Sequence, residues 1–130
     1  MASIGLAPHL TPRELLAALV AIPTVSRDSN LALIDFVADY LAAHGIAAER
    51  IESDCGTKAN LLATIGPRVA GGVVLSGHTD VVPVDDQLWR TDPFSLTERY
   101  GALYGRGTAD MKAFLAIALA LVPEMTALRR

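Results

Sequence analysis

The apolar runs of this chain are numerous but short, and that brevity most restricts what it can fold into. Pro, Gly, Asp or Arg breaks each run before it reaches the roughly 20 residues of a membrane helix. The richest, residues 113–122, has the length of a buried helix and is followed by Pro123 and Glu124. With 52% of its 130 residues hydrophobic, the chain has material for one compact core and too little for two. No membrane segment is expected.

The runs alternate between two periods. Thr11-Pro12-Arg13-Glu14 carries the signature of a helix start: a capping Thr, a Pro in the first turn, and a Glu to close a capping box. Leu15, Leu16, Leu19 and Val20 follow at helical spacing until Pro23. A second helix is predicted over residues 29–44, with Leu31, Ile34, Val37 and Leu41 on one face and Gly45 as its C-terminal cap. Extended chain is predicted at 46–52 and 59–65, separated by the polar loop 53–58. Val73-Val74-Leu75-Ser76 reads as a short buried strand, and residues 91–104 as irregular chain with a hairpin turning at Gly101. Thr108 is expected to cap a last helix over 109–121. This alternation of helix and strand argues for an α/β fold with part of its sheet parallel. No closing strand follows the last helix, so an uncovered sheet edge or face is expected.

Charge and cysteine content narrow the function classes. A net charge of −3 gives no reason to expect nucleic acid or an anionic membrane as partner. The one cysteine, Cys55, cannot form an internal disulfide, which fits a reducing compartment and a cytoplasmic location. Residues 1–10 lack a basic segment followed by an apolar one, so no secretory leader is expected.

Two segments can carry chemistry. Ser76-Gly77-His78-Thr79-Asp80 follows the expected buried strand, so His78 falls at the strand's C-terminal end, where open α/β sheets bind ligands. His78 and Asp80 are two apart and face the same side in extended chain. A carboxylate so placed can hold the far nitrogen of a metal-bound imidazole and fix its tautomer. The second segment, Gly105-Arg106-Gly107-Thr108-Ala109-Asp110, puts two glycines where backbone can approach closely, then an acid in the expected first helical turn. Each segment alone has an ordinary explanation: a surface His–Asp pair, and a carboxylate favoured by the helix dipole. Gly-Arg-Gly without a following Gly-Lys-Ser/Thr is not a phosphate-binding loop. Taken together, an imidazole and two carboxylates suit a divalent ion, with Asp110 able to bridge a pair of ions.

The order of the segments is more specific than either one. His78-Thr79-Asp80-Val81-Val82-Pro83, then Trp89 and Asp92-Pro93-Phe94, then the run Leu103 to Lys112 resembles a zinc metallopeptidase family that includes succinyl-diaminopimelate desuccinylase and aminoacylase. The resemblance extends from Thr11 to Met125. It implies that the chain is the N-terminal part of a three-layer α/β, zinc-exopeptidase-like catalytic domain with a mixed, largely parallel sheet. It also implies roles: His78 ligates one ion, Asp80 is the active-site residue behind it, and Asp110 bridges two zinc (or cobalt) ions. By the same resemblance Asp110-Met111 is expected to be a cis peptide. The implied substrate is a small N-acylated amino acid, N-acetylornithine foremost, favoured by residues 56–61, 84–86, 92–98 and 107–110. The complete enzyme is implied to be a homodimer.

Departures from the family pattern set a second expectation. The paired glutamates of the family (one the general base), a later acidic ligand, a C-terminal metal-binding His and the smaller dimerisation domain are all absent from residues 1–130, which then form a partial catalytic domain, inactive alone. A short, non-catalytic metal-binding or interaction protein is the alternative. Ala113 replaces the usual Gly and is expected to crowd its helix against the loop, whereas Tyr100, in place of an Asp, changes only a turn. His9 and His44 read as surface residues, Cys55 as unreactive, and Trp89 as a packing anchor near the site entrance. Arg106 is expected to brace the Asp110 loop. Lys112 reads either as compensating nearby carboxylates or as a helix lysine reaching to solvent.

Overall fold

The computed structural model describes residues 9–128, so most of the stretch read as lacking a leader lies outside the described residues. The first helix, α1 (Pro12–Ala21), starts as its sequence dictates. The Thr11 side chain accepts a hydrogen bond from the Glu14 N–H at 3.2 Å, and the Glu14 carboxylate accepts one from the Thr11 N–H at 2.8 Å. The second helix, α2 (Leu31–Ala43), ends in a Schellman motif: the Gly45 N–H donates to Ala42 and the Ile46 N–H to Leu41, at 2.9 and 3.0 Å. Its buried face holds Leu33, Ile34, Tyr40 and Leu41, while Leu31 and Val37 are only half-buried.

Strands β1 (Ala48–Glu52) and β2 (Ala59–Ala63) form an antiparallel hairpin in the register Ala48↔Ala63 to Glu52↔Ala59. A second hairpin joins β3 (Thr97–Arg99) to β4 (Ala102–Tyr104). Two helices close the described chain, α3 (Lys112–Ala120) and α4 (Val122–Ala127). The core lies chiefly between α1 and α3, from Leu15, Leu16, Leu19 and Val20 against Ala116, Leu119 and Ala120, with Leu33, Tyr40 and Leu41 of α2 alongside.

The sequence expectations hold for the helices and hairpins, and change in four places. The last helix begins at Lys112, not at 109, and α4 follows it as a separate helix with Pro123 in its first turn, where a missing N–H costs nothing. Thr108 does not cap α3; its hydroxyl donates to the Gly105 carbonyl at 2.9 Å. Residues 73–76 form no strand, and Val73 and Val74 are 88% and 85% exposed. A buried strand needs neighbours on its edges, and among the described residues none pairs with this one. The sheets are both two-stranded and antiparallel; the parallel pairing expected of an α/β fold is present as one isolated bridge, Val25↔Val81. No helix among the described residues is long and apolar enough to cross a membrane.

Lys112 departs furthest from its expected role. It is fully buried, and its Nζ donates to the carbonyls of Leu19 and Ile22 at the C-terminal end of α1, both at 2.7 Å. The first residue of α3 thus caps the last carbonyls of α1 with a positive charge, where the helix dipole favours one. Burial pulls its pKa down to about 8. Ala113 packs against the core and lines an apolar groove with Pro12, Leu16 and Leu103 that holds about 280 Å3 of free space.

At the β3–β4 turn, Tyr100 and Gly101 have φ of 54° and 73°, the two positive values of a type I′ turn. Glycine adopts this freely, but a tyrosine there is costly, so the position is less tolerant than the sequence suggests. Tyr100→Asn should stabilise the chain by about 1 kcal/mol in urea denaturation. For Lys112 the sign follows from its depressed pKa. The unfolded chain binds the extra proton between about 8 and 10.5, so stability rises with pH across that window. Lys112→Met should flatten the rise; equal pH slopes in the two proteins would contradict the burial of a titrating lysine.

Candidate metal-binding site

The site is assembled from two loops, each seated on the helical core. Residues 79–81 are held beside the chain that leaves α1. The Val81 N–H donates to the Thr24 carbonyl and the Ser26 N–H to the Val81 carbonyl, both at 2.9 Å. Upstream, Gly77 lies against α3 so closely that a Cβ would stand 2.8 Å from Leu115 Cδ2 and 3.1 Å from Phe114 Cδ1. The His78 N–H meets the Met111 sulfur at 3.4 Å.

The second loop needs its glycines for physical reasons. Gly107 has φ +87°, and a Cβ there would stand 2.8 Å from Val81 Cγ1 and 3.2 Å from Lys112 Cδ. Only a residue without a side chain permits this conformation and this contact together. A Cβ at Gly105 would come within 3.0 Å of Val20 Cγ1. The Lys112 N–H then donates to the Gly107 carbonyl at 2.8 Å, so the loop closes directly onto the buried lysine. Asp110 lies in the turn before α3, and Asp110-Met111 is a cis peptide, as the family resemblance implies.

These two loops bring His78, Asp80 and Asp110 together. His78 Nδ1 is 3.1 Å from the Asp80 carbonyl and 3.2 Å from its carboxylate; Nε2 is 2.9 Å from Asp110 Oδ1. The imidazole is therefore clamped at both nitrogens by residues from different loops. Burial opposes its charged form, but the Asp110 hydrogen bond, the Asp80 carbonyl and both nearby carboxylates outweigh it and hold the His78 pKa above its ordinary 6.5. The side chains are accessible, His78 and Asp80 about half exposed and Asp110 at 85%. They open on a cleft of about 300 Å3, lined also by Val81, Val82 and Gly105 to Ala109.

A centre that holds a proton between an imidazole nitrogen and a carboxylate oxygen can also hold a cation there. Zinc bound tetrahedrally to such donors at its usual distances separates them by about 3.3 Å, close to the gap between Nε2 and Oδ1. With a cation in place of the proton at Nε2, the Asp80 carboxylate at Nδ1 would keep the imidazole in the tautomer that binds it. Two ligands are an incomplete set, and among the described residues no group of three His, Cys, Asp or Glu is placed to hold a metal.

Arg106 braces the cleft in a direction the sequence did not give. Its guanidinium donates to the Gln87 side chain and lies 4.9 Å from the centroid of the Trp89 ring, while its N–H donates to the Pro93 carbonyl at 2.6 Å. It ties the cleft to residues 87–93 and leaves Asp110 to His78. His44 is not a plain surface residue, since it packs edge-on against Tyr40 at 4.7 Å between ring centroids. Cys55 is exposed in the β1–β2 loop, where the hydroxyls of Ser53 and Thr57 draw its pKa down to about 7; it does not line the cleft. Sequence reasoning passed over Thr24 and Asn30, buried polar residues that contact Thr79, because neither stands near a motif. Their only signal was polarity beside apolar helix ends.

In NMR titrations, the His78 ring should show a midpoint above 6.5 that falls toward the ordinary value in Asp110→Asn, since that change removes one of the charges favouring imidazolium. An unchanged midpoint would mean that the two side chains do not meet in solution.

Comparison with known proteins follows the same two loops. Residues 74–130 match Peptidase family M20/M25/M40. The chain is 43% identical over 119 residues to an acetylornithine deacetylase of Pasteurella multocida (strain Pm70), which aligns 86% of this chain with 31% of that protein. It is 47% identical over 114 residues to one from Shigella sonnei (strain Ss046), covering 82% of this chain and 29% of the relative. For one from Photorhabdus laumondii subsp. laumondii the figures are 48% over 111 residues, 79% and 28%. The chain thus spans less than a third of the length of the curated relatives it matches.

Proposed function

We propose that this chain, whose residues 74–130 match Peptidase family M20/M25/M40, supplies His78, Asp80 and Asp110 to a metal-dependent hydrolase of N-acyl amino acids. The reaction that best suits its relatives is N2-acetyl-L-ornithine plus water to L-ornithine and acetate, a step of arginine biosynthesis. The observation that carries this reading is the doubly clamped His78, with Asp80 at Nδ1 and Asp110 at Nε2 on the wall of an open cleft.

In this proposal His78 and Asp110 would hold zinc or cobalt, with Asp110 as the ligand common to two ions. Such ions supply the acidity that makes water nucleophilic near neutral pH and polarise an amide carbonyl. The chain's own residues do the rest. Asp80 accepts a hydrogen bond from the Nδ1–H, fixes the tautomer and raises the basicity of Nε2. The rigid turn of Gly105 to Asp110 presents one carboxylate without a flexible helix terminus. Arg106, held by Gln87 and Trp89, shapes the cleft edge.

The broader assignments belong to the same proposal. We assign the chain to the N-terminal part of a three-layer catalytic domain with a mixed, largely parallel sheet, supported by the Val25↔Val81 bridge and the unpaired apolar residues 73–75. The complete enzyme would be a cytoplasmic homodimer built through a further domain. The incomplete ligand set among the described residues supports an inactive 130-residue chain.

Metal analysis of the purified chain should find at most one weakly bound zinc, lost in His78→Ala; two tightly bound ions would contradict the incomplete site. The same chain should release no ornithine from N-acetylornithine. Turnover abolished by His78→Ala would show instead that these residues suffice for catalysis.

A further inference from the structure

We propose that Thr24 and Asn30 are positioning residues that set the His78–Asp80 clamp by holding Thr79 from behind. The proposal rests on the reading of His78 and Asp110 as cation ligands. Thr79 stands between the two clamp residues and touches neither the cleft nor Asp110 in any hydrogen bond among the described residues. Its carbonyl accepts from the Thr24 hydroxyl at 2.5 Å, and its own hydroxyl accepts from Asn30 Nδ2 at 3.1 Å. Both donors are interior: Thr24 is 1% exposed and Asn30 is 8%.

Buried polar side chains are retained only where hydrogen bonds offset their desolvation. Asn30 is fully engaged, because it also exchanges two bonds with the Ala59 backbone, Nδ2 to the carbonyl and the N–H to Oδ1, both at 2.9 Å. It therefore ties the start of β2 to Thr79. Thr24 adds a second anchor, and its own carbonyl takes the Val81 N–H. In a wide sheet a ladder of backbone bonds would fix the orientation of residues 78–80. Here the ladder beside them is the single bridge Val25↔Val81, and the two side chains take over its task. If Thr79 turns, His78 and Asp80 turn with it, and the spacing at both imidazole nitrogens is lost. Partners that hydrogen-bond a metal ligand carry about 10- to 100-fold in metal affinity, and Thr24 and Asn30, acting one residue further back through Thr79, fall at the lower end of that range.

The test separates positioning from packing by the order of two substitutions. Thr24→Val keeps the volume and loses the donor; Thr24→Ser keeps the donor and loses a methyl. Cobalt(II) alone is titrated into the purified 130-residue chain and followed by its d–d absorption, with His78→Ala as control and urea midpoints in parallel. Positioning predicts about tenfold weaker cobalt binding in Thr24→Val, recovery in Thr24→Ser, and weakening in Asn30→Asp. Wild-type binding in Thr24→Val with loss in Thr24→Ser would overturn the proposal in favour of packing. Should the interior variants fail to fold, Thr79→Val removes the Asn30 contact at a half-buried position and carries the same expectation. If the wild-type chain shows no His78-dependent cobalt signal, the ligand reading fails by itself. The positioning claim is then decided by the His78 ring 15N shifts of the metal-free chain, which Thr24→Val should move and Thr24→Ser should not. Unchanged shifts in Thr24→Val would overturn it.

Discussion

The ammonium group of Lys112, enclosed between the carbonyls of Leu19 and Ile22, joins the first helix of the chain to the third across ninety residues of sequence. A buried charge is costly, and here two 2.7 Å hydrogen bonds and the negative end of α1 offset that cost. The same residue receives the Gly107 carbonyl through its N–H and presses its aliphatic stem against the Gly107 backbone. This side chain therefore ties the Asp110 loop to the packed pair of α1 and α3, whose apolar faces meet beside it. The candidate site inherits its rigidity from the core in this way.

Two loops meet over that support, and each arrives by a different device. The His78 loop is fastened by polar contacts: one parallel bridge and the interior side chains of Thr24 and Asn30. The Asp110 loop is fastened by shape, since Gly105 and Gly107 let its backbone lie directly on Val20 and Val81. Val81 is shared, because it pairs with Val25 and also forms the surface on which Gly107 rests. Through that shared residue the two loops lie side by side, with His78 Nε2 2.9 Å from Asp110.

Much of this is legible in the sequence, wherever the cause is local. The capping box at Thr11 and Glu14, the Schellman end of α2 at Gly45 and the hairpin turn at Gly101 each depend on a few neighbouring residues, and each is found in place. The same-side arrangement of His78 and Asp80 follows from the two-residue period of extended chain. What failed has a common cause as well. Residues 73–76 have the composition of a buried strand, but burial needs partners that composition does not supply. Tyr100 looked harmless because its identity carries no record of the positive φ demanded by a type I′ turn. Lys112 reads in the sequence as compensating carboxylates or as reaching to solvent, because helical periodicity cannot show which carbonyls lie beyond the helix.

By itself, then, the sequence determined the local elements, the pairing of His78 with Asp80, and through the order of its motifs the match of residues 74–130 to Peptidase family M20/M25/M40. Those properties are encoded within a few residues or in a fixed succession of motifs. The tertiary structure alone decided that Asp110 precedes α3 and meets His78 Nε2, that Lys112 is interior, and that Thr24 and Asn30 stand behind Thr79. Each of these joins residues dozens of positions apart, and such contacts are fixed by packing and by the need to satisfy buried polar groups, neither of which a linear pattern contains.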